Sequence, residues 1–461
     1  MAFGHPNFSG TDRYFSAGST YMKPSRNRTA ISRRSFLATA GAAVTAPLVL
    51  PSNLLFGQNT PSNRIVMGIV GWGMMGPGNT SALMKEKDCQ VVAACDLDKR
   101  PLAKAVEAIN KHYGNSDCKE YHDYREMMAR NDIDAVMLAV PDHWHALTSV
   151  EACNRKKDIY GEKPLARTIA EQQAIVKAVQ KNKRIWQTGS WQRSTANFHK
   201  AVEIVRNGLI GKIHRVEVGL PAGHVDFKKT ADKMQVTQPP PELDYAMWIG
   251  PSKMMPYIEG RVHMNWRWNY NTGGGQLLDW IGHHGDIAHW GLDFDNTGPM
   301  EIEGEGEFPP EDAVWNTATK YRVELKYPKD VTMTIAGGHK DIRSGTKWIG
   351  DDGWVWVDRG GFEASKADWK DWKRVPEEQR KVEILKSDSH YRNFLDSVKS
   401  RKPTITPSEV AHNSAIPGHL GLISMLVKRK IKWDAKKQVI VGDKEASKLL
   451  TREYREPWKL V

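Results

Sequence analysis

The sequence predicts a doubly wound α/β domain of the Rossmann type followed by an α+β domain, on three observations. Residues 65–70 form a short apolar run, typical of a buried strand, that stops at a glycine-rich turn. A second apolar run, residues 90–95, ends in the carboxylate of Asp96. Residues 315–358 alternate between apolar and polar positions in the manner of antiparallel strands. The first two observations predict a βαβ unit, and the third predicts a separate, strand-rich part of the chain.

The turn after the first strand carries three glycines with the spacing of a phosphate-binding loop: Gly71, Gly73 and Gly76. The first makes a tight turn, the second lets the backbone approach a pyrophosphate, and the third lets the next helix pack closely on the strand. The N-terminal N–H groups of that helix then point at the phosphates. We expect the intervening residues Trp72, Met74 and Met75 to contact the cofactor as well. The spacing also occurs in ordinary turns, so the prediction needs support from the rest of the βαβ unit.

Asp96 supports a dinucleotide site because it lies twenty residues after Gly76. This is where such units place the acid that accepts hydrogen bonds from the adenosine ribose hydroxyls. The carboxylate favours NAD over NADP. Lys99 and Arg100 follow closely and can pair with a 2′-phosphate, so NADP stays open. A solvated strand end or helix cap is the alternative role for Asp96.

Two further predicted strands end in polar turns. Residues 133–140 form an apolar strand that Pro141 stops, and residues 158–161 form another that leads into Glu162-Lys163-Pro164. Ligands of open α/β sheets bind beyond the carboxyl ends of the strands. We therefore predict four more cofactor contacts in these turns: Pro141, His145, Glu162 and Lys163.

Charge is distributed unevenly along the 461 residues, which carry a net charge of +12. Six of the 66 basic residues but only one of the 54 acidic residues fall within the first 60 positions. The remainder holds 60 basic and 53 acidic side chains without a block of like charge, which argues against nucleic-acid binding. A modest positive charge suits an anionic cofactor.

Residues 1–60 have the pattern of a twin-arginine export signal and a linker. Arg33 and Arg34 precede an uncharged, alanine-rich stretch over residues 38–50 that is too short for a typical membrane span. We expect cleavage between residues 46 and 60, a periplasmic protein, and no stable membrane span after cleavage. A retained N-terminal anchor is the alternative. This route exports folded proteins, which suits a chain that must acquire its dinucleotide in the cytoplasm.

The four cysteines show no spacing for a metal: Cys89, Cys95, Cys118 and Cys153. Buried free thiols are the default expectation. Because the expected compartment is oxidising, a disulfide that includes Cys118 or Cys153 stays open. No metal site is predicted, since the His and Asp clusters lack ligand spacing.

Taken together, the motifs resemble the glucose–fructose oxidoreductase/inositol dehydrogenase/MocA (Gfo/Idh/MocA) family. The resemblance rests on the glycine turn, Asp96, residues 141–145, Glu162-Lys163-Pro164, and the segment from Gly273-Gly274-Gly275 through Asp279, His283 and Asp286. It covers about residues 62–461, and the tail from His390 to Trp458 resembles an exported branch of the family. The family implies tightly bound NAD, or NADP, and a small carbohydrate or polyol substrate.

The resemblance also implies that the second domain is an open, mostly antiparallel sheet with helices on one face. We therefore divide the chain into residues 1–60, a Rossmann domain at 61–190, and a substrate and oligomerisation domain at 191–461 with C-terminal helices. The patterns predict strands at 315–325, 331–336 and 347–358, helices at 387–399 and 409–428, and a long irregular excursion at 221–270. We expect a homodimer or homotetramer built through this sheet.

By resemblance, three polar side chains face the nicotinamide: Lys163, Asp279 and His283. His283 is the expected general acid/base and Lys163 the hydroxyl donor, although Lys163 can be the base instead. Asp279 and His283 are four residues apart, so on a helix the carboxylate can orient the imidazole; alternatively, Asp279 accepts a substrate hydroxyl. The expected substrate contacts are Asp279, His283, Trp191, Arg193, Trp266 and Arg267.

These residues are compatible with three functions. The first is an NAD(P)-dependent oxidoreductase that transfers a hydride between nicotinamide and a secondary hydroxyl of a sugar, polyol or inositol. The second is an NAD-dependent glycosidase, similar to exported α-N-acetylgalactosaminidases of the family, that oxidises C3 transiently and eliminates the aglycone. The third is a non-catalytic sugar-binding protein, which the intact Lys163, Asp279 and His283 disfavour. We expect the first, since both catalytic functions need the same oxidation step.

Overall fold

The computed structural model describes residues 63–460 except residues 225, 227, 228, 372 and 373. The predicted export signal and linker lie outside the described residues. All described residues belong to one compact unit of the chain. Among them, no helix combines the length and the apolar character needed to cross a membrane.

The first sheet contains six strands: β1 (Ile65–Val70), β2 (Cys89–Cys95), β3 (Lys119–Tyr121), β4 (Ala135–Leu138), β5 (Asp158–Gly161) and β6 (Trp186–Thr188). Their order is β3-β2-β1-β4-β5-β6 and every neighbouring pair is parallel. This is the strand order of the predicted Rossmann domain. The order reverses between β1 and β4, so the chain leaves these two strands in opposite directions and opens a crevice at their carboxyl ends.

Five helices connect these strands: α1 (Gly76–Met84), α2 (Lys99–Tyr113), α3 (Tyr124–Met128), α4 (His145–Asn154) and α5 (Ile169–Asn182). Two separate apolar clusters lie on the two faces of the sheet. Met67 and Ile69 belong to one cluster, and Val70 and Leu138 to the other. Burial on both faces explains why the strands are continuous apolar runs rather than alternating ones.

The second sheet contains nine strands: β7 (Ile213–Leu220), β8 (Glu301–Glu307), β9 (Lys320–Lys326), β10 (Thr332–Gly337), β11 (Gly345–Gly350), β12 (Gly353–Val357), β13 (Phe362–Ala364), β14 (Ile431–Asp434) and β15 (Val439–Ile440). Their order is β13-β12-β11-β7-β10-β9-β8-β14-β15. Among the described strands, β7 and β10 pair in parallel and the remaining neighbours are antiparallel. The prediction of a mostly antiparallel second sheet is confirmed.

The remaining helices are α6 (Ala196–Arg206), α7 (Tyr245–Ile249), α8 (Gly275–Trp280), a π-helix (Ile281–Gly285), α9 (Asp286–Leu292), α10 (His390–Ser400), α11 (Ser408–Val427) and α12 (Lys444–Lys448). Short 3-10 turns occur at Asp142–Trp144, Trp191–Ser194, Glu259–Arg261, His263–Trp268, Pro328–Asp330, Ala367–Lys370 and Glu377–Gln379. Helices α6, α9 and α11 cover one face of the second sheet, where Phe198, Ile287 and Leu420 are buried against Val323 and Ile335.

Residues 315–319 do not extend β9, although the predicted strand began at 315. They anchor the irregular excursion instead. The indole N–H of Trp315 donates to the carbonyl of Gly260 (3.0 Å), and the backbone N–H groups of Asn316 and Thr317 donate to the carbonyl of Trp268 (2.9 and 3.1 Å). These hydrogen bonds tie the excursion to the second sheet.

The chain returns to the first sheet after residue 386, which the predicted division at 190 does not anticipate. Phe394 and Leu395 of α10 are fully buried in the apolar cluster that contains β1 and β2. The hydroxyl of Tyr391 donates to Asn79 Oδ1 (2.8 Å), and Arg392 pairs with Asp88 (2.6 Å). Helix α10 therefore completes the core of the Rossmann domain.

Candidate active site

The glycine turn has the geometry that a pyrophosphate requires. Gly71 has φ +93°, and a Cβ there would collide with the carbonyl of Ala139. A Cβ at Gly76 would collide with the carbonyl of Gly71, whereas a Cβ at Gly73 would meet nothing within 4 Å. The first and third glycines are thus needed for packing, and the second opens onto the crevice, as the sequence predicts.

Helix α1 begins directly behind this turn. Its N-cap residue, Met75, supplies no side-chain cap, and Pro77 occupies its first turn. The helix N-terminus therefore presents backbone N–H groups and its positive dipole end toward the turn. These features fit the phosphates of a dinucleotide.

Asp96 lies at the end of β2 and lines the same crevice. One carboxylate oxygen accepts the backbone N–H of Trp72 (2.8 Å) and the other accepts that of Asp98 (3.0 Å). Burial raises the pKa of Asp96 above its ordinary value, although these two hydrogen bonds act to lower it. Each oxygen keeps a lone pair for a ribose hydroxyl. Arg100 is held by Asp98 at 2.6 Å, so this cation is already paired and the site favours NAD.

Most of the predicted cofactor residues line one crevice: Gly71, Trp72, Gly73, Met74, Met75, Asp96, Pro141, Glu162 and Lys163. His145 was predicted to contact the cofactor, but it does not line the crevice. Its ring is only 4% exposed, and Nε2 lies 2.9 Å from the carbonyl of Val140. The imidazole stabilises the turn after β4 from within.

Lys163, Asp279 and Arg267 form a buried charge cluster at one end of the crevice. Lys163 Nζ donates to the backbone carbonyl of Asp279 (2.7 Å) and to its carboxylate (3.0 Å). Arg267 Nε donates to the same carboxylate oxygen at 3.1 Å. Burial alone would raise the pKa of Asp279, but Lys163 and Arg267 outweigh it and hold that pKa below its ordinary value. Asp279 is therefore an anion with a fixed position between two cations.

His283 lies beside this cluster, on the π-helix that follows α8. Its ring packs edge-on against Trp280 and Trp191, with centroids 5.4 and 6.5 Å away. Nδ1 is buried, and neither ring nitrogen has a hydrogen-bond partner in the described part of the chain. Burial first, and then the charges of Lys163 and Arg359, lower the pKa of His283 well below its ordinary value. The imidazole is therefore neutral, and in the NAD-free protein it is a weaker base than an exposed histidine.

The prediction that Asp279 orients His283 is wrong in this structure. The hydrogen bonds of the Asp279 carboxylate go to Lys163 and Arg267. Two cations stabilise a buried carboxylate far more than a neutral imidazole does. The four-residue spacing placed both side chains in one segment but did not determine which partner the carboxylate binds.

Arg193 is a third correction. Its side chain is 2% exposed and binds the carboxylates of Asp286 (2.7 Å) and Asp295 (2.7 Å). Because its N–H donors are used on these two carboxylates, Arg193 joins its own turn to α9 and to the residue Asp295 that follows α9, rather than contacting a substrate. Of the other predicted substrate contacts, Trp266 and Arg267 line the crevice and stack on each other (4.3 Å), and Trp191 contacts His283.

Asp142 is a site residue that the sequence analysis missed. It follows Pro141 at the end of β4, lines the crevice, and is 3% exposed. In the described part of the chain its carboxylate has no hydrogen-bond partner. Burial raises the pKa of Asp142 to about 7, although Arg267 acts in the opposite direction. Its position directly after a predicted strand was the signal that could have identified it.

The four cysteines are all free and buried, so the disulfide that the sequence left open is absent from the described structure. Burial raises the pKa of Cys89 and Cys153 to about 12, which leaves both thiols protonated and unreactive. Among the described residues, no group of three or more His, Cys, Asp or Glu side chains is arranged to hold a metal ion.

The parallel sheet, the glycine turn at its switch point and the carboxylate after β2 define a dinucleotide-binding protein of the oxidoreductase class. Family profiles agree: residues 65–190 match "Oxidoreductase family, NAD-binding Rossmann fold", and residues 194–460 match "Oxidoreductase family, C-terminal alpha/beta domain". The chain belongs to the Gfo/Idh/MocA oxidoreductase family, and its first domain is an NAD-binding domain.

Curated relatives match part of the chain. Inositol 2-dehydrogenase of Salmonella typhimurium is 33% identical over 147 residues, which are 32% of this chain and 42% of that protein. The alpha-N-acetylgalactosaminidase of Shewanella oneidensis is 28% identical over 210 residues, 40% of this chain and 44% of that protein. The chain thus matches less than half the length of these relatives.

Solved structures share the whole fold. The WlbA dehydrogenase from Chromobacterium violaceum, in complex with NADH and UDP-GlcNAcA, aligns with a TM-score of 0.61 at 17% identity, over 84% of this chain and 99% of that one. The aldose-aldose oxidoreductase from Caulobacter crescentus aligns with a TM-score of 0.56 at 16% identity, over 80% and 99%. At these identities the likeness is one of fold.

Proposed function

We propose that the protein is an NAD-dependent oxidoreductase that transfers a hydride between nicotinamide and a secondary hydroxyl of a sugar, polyol or inositol. The observation that carries this proposal is the cluster of Lys163, Asp279 and Arg267 beside a neutral His283, at one end of an NAD crevice. Alcohol oxidation needs a hydride acceptor, a proton acceptor and a donor to the alcohol oxygen. The family's NAD-binding domain and these side chains supply all three.

Each side chain has a role that follows from its contacts. NAD held in the crevice would supply the hydride acceptor. Lys163 uses two of its three N–H donors on Asp279, which leaves the third for the substrate oxygen. Asp279 positions Lys163. His283 accepts the hydroxyl proton at a ring nitrogen that has no other partner in the described residues.

Trp191 and Trp266 each pack against one residue of the catalytic cluster. Trp266 lies in the crevice against Arg267, and Trp191 packs on His283. Aromatic faces of this kind suit the apolar faces of a sugar ring. They support a carbohydrate or polyol substrate, in line with the name of the inositol 2-dehydrogenase relative.

The NAD-dependent glycosidase is the second candidate, because a relative named alpha-N-acetylgalactosaminidase matches 40% of the chain. Its transient oxidation uses the same hydride acceptor, base and donor. Lasting reduction of NAD by the substrate distinguishes the first function from the second. A non-catalytic sugar-binding role does not explain why Lys163 and Asp279 form a buried ion pair.

We further propose, from the sequence of residues 1–60, that the protein is exported by the twin-arginine route to the periplasm with NAD tightly bound. Free NAD is scarce outside the cytoplasm, so a retained cofactor suits this location. We also propose a homodimer or homotetramer through the second sheet. Its outward side chains form ion pairs such as Arg322–Glu324 and Lys320–Glu307, which a partner sheet can bridge.

The test is the absorbance of the purified, NAD-loaded protein after adding myo-inositol, glucose, galactose or the p-nitrophenyl glycoside of α-N-acetylgalactosamine. A lasting rise in the reduced-nicotinamide band with a sugar or polyol supports the oxidoreductase. Release of p-nitrophenol without lasting reduction would replace it with the glycosidase. Lys163→Met should lower the rate by about 100-fold or more while NAD binding remains. Failure of the protein to bind NAD would refute both catalytic functions.

A further inference from the structure

Arg359 is held between two tryptophan rings at the edge of the catalytic cluster. It lies in the loop between β12 and β13, with its guanidinium carbon 4.8 Å from the ring centre of Trp191 and 4.5 Å from that of Trp280. Its Nε donates to Gln192 Oε1 at 3.0 Å. Stacking on two rings plus this hydrogen bond fixes the plane of the guanidinium.

The outer edge of this guanidinium is free. In the described part of the chain, no carboxylate forms an ion pair with Arg359, and no acceptor binds its Nη1 or Nη2. By contrast, Arg193 and Arg267 bind carboxylates. An oriented guanidinium with four unused N–H donors is a binding site for a planar or tetrahedral oxyanion.

Arg359 is solvent-exposed and lies close to the reacting groups. Trp191 and Trp280, the two rings that hold Arg359, are also the two rings that pack on His283. A group bound by Arg359 is therefore adjacent to whatever His283 deprotonates. This places the guanidinium where a substituent of the substrate would lie.

We propose that Arg359 binds an oxyanion carried by the substrate, so that the natural substrate is a sugar with a carboxylate or a sulfate ester. This inference rests on the proposed function and names its substrate class. An anionic substrate gains charge-assisted hydrogen bonds at this exposed guanidinium that a neutral sugar does not form, so the site favours the anion.

The electrostatics of the cluster agree with this assignment. Burial lowers the pKa of Arg359 from its ordinary value, because the two rings displace water from its faces. The positive charges of Lys163 and Arg359 both lower the pKa of His283. An anion bound to Arg359 would offset one of these charges and raise the basicity of His283 when the charged substrate is bound.

The experiment compares binding of D-glucuronate, D-glucose 6-sulfate and D-glucose to the NAD-loaded protein by calorimetry. We expect at least one of the two anions to bind about 10- to 100-fold more tightly than glucose, as charge-assisted hydrogen bonds predict. Preference for glucuronate alone identifies a carboxylate, and preference for the 6-sulfate alone identifies a sulfate ester. Arg359→Gln should remove the preference, and Arg359→Lys should keep part of it.

Arg343→Gln is the matched control. Arg343 also stacks on a tryptophan, Trp356, but it pairs with Glu363 and is not among the residues of the catalytic cluster. This variant should keep the preference for the anion. Thermal unfolding of each variant checks that the fold is intact.

Equal or undetectable binding of all three compounds, or an anion preference that survives in Arg359→Gln, overturns the inference. Because the readout is binding, it separates this inference from the proposed reaction. An anion preference without NAD reduction would refute the oxidoreductase and keep the anion site. Reduction of NAD by neutral sugars without any anion preference would keep the oxidoreductase and refute the anion site.

Discussion

Lys163 and Asp279 are 116 positions apart in the chain and form a direct ion pair in the site. The carboxylate of Asp279 binds this ammonium and the guanidinium of Arg267 rather than the nearer-in-sequence His283. The reason is electrostatic, since a buried carboxylate gains most from cations. At the residue scale, the proposed mechanism therefore gives Asp279 the task of positioning Lys163 and gives His283 a separate one.

A double-mutant cycle tests this division of roles. We expect Asp279→Asn and Lys163→Met each to lower kcat by about 100-fold or more, with non-additive effects because the two side chains form one pair. His283→Ala should lower kcat by a similar factor but combine with Asp279→Asn nearly additively. The measurement is kcat for the single and double variants. Strong coupling between Asp279 and His283 instead would restore the view that the carboxylate orients the imidazole.

Burial brings the titration of the Asp142 carboxyl close to neutral pH. Its pKa is raised by burial from 3.8 to about 7, so folding favours its protonated form. Between these two values the folded state binds more protons than the unfolded state, and stability falls as pH rises. Above pH 7 the loss is complete and amounts to about 4 kcal/mol at most.

The variant Asp142→Asn should therefore stabilise the NAD-free protein, and more so at pH 8 than at pH 5. We expect the difference between the two gains to be about 3 kcal/mol, from about 1.4 kcal/mol per pKa unit. Urea unfolding at both pH values measures it. The exposed Asp312 provides the control, since Asp312→Asn should change stability little at either pH. An equal gain for Asp142→Asn at the two pH values would show that its pKa is not raised.

At the element scale, the glycines in the turn between β1 and α1 have different tasks. Two of them are needed for close packing, and one faces the cofactor crevice. Gly71 and Gly76 approach each other and the carbonyl of Ala139 so closely that neither tolerates a Cβ. Gly73 faces open space in the crevice. The same motif therefore contains two positions that stabilise the fold and one that admits the cofactor.

Gly73→Ala is expected to weaken NAD binding by about tenfold or more without destabilising the NAD-free protein. The added methyl group meets no protein atom within 4 Å but occupies the approach of the pyrophosphate. Gly78→Ala, at the third residue of α1, is the control: Gly78 is equally open but does not line the crevice, so the variant should leave NAD affinity unchanged while adding about 0.5–1 kcal/mol of stability. Fluorescence titration with NAD and thermal unfolding give the two readouts. Unchanged NAD affinity in Gly73→Ala would place the pyrophosphate elsewhere.

At the scale of the whole molecule, the Rossmann domain depends on chain that comes after most of the second sheet. Phe394 and Leu395 of α10 are fully buried among β1 and β2 residues, and Arg452 binds Glu171 of α5 at 2.8 Å. The two domains are therefore interleaved in sequence, and their stabilities are coupled.

We expect residues 63–190 expressed alone to lack a cooperative unfolding transition and to bind no NAD. The fragment exposes the apolar surface that α10 covers, and such surfaces give expanded states that bind ANS. Phe394→Ala in the full chain is the control: it should cost about 3–5 kcal/mol yet keep the fold. Near-UV circular dichroism and ANS fluorescence follow both proteins. A fragment that unfolds cooperatively and binds NAD would contradict this dependence.

Local patterns in the sequence were enough to predict the Rossmann strands, the roles of the three glycines, Asp96, the mostly antiparallel character of the second domain and the two long C-terminal helices. Each of these depends on short-range chemistry: apolar periodicity, glycine conformations and turn residues. The sequence also named Lys163, Asp279 and Arg267, which the structure brings together, while their roles in a reaction stay a prediction.

The partners of buried polar groups could not be read from spacing, because folding brings together residues that are far apart in the chain. Arg193 looked like a substrate contact until the fold placed Asp286 and Asp295 around it, and His145 like a cofactor contact until its ring was buried at a helix start. The same long-range assembly put Asp142 in the crevice and left Arg359 between two tryptophans without a counter-ion among the described residues. Such choices depend on competition among charges in a low-dielectric interior, which exists only after the chain has packed.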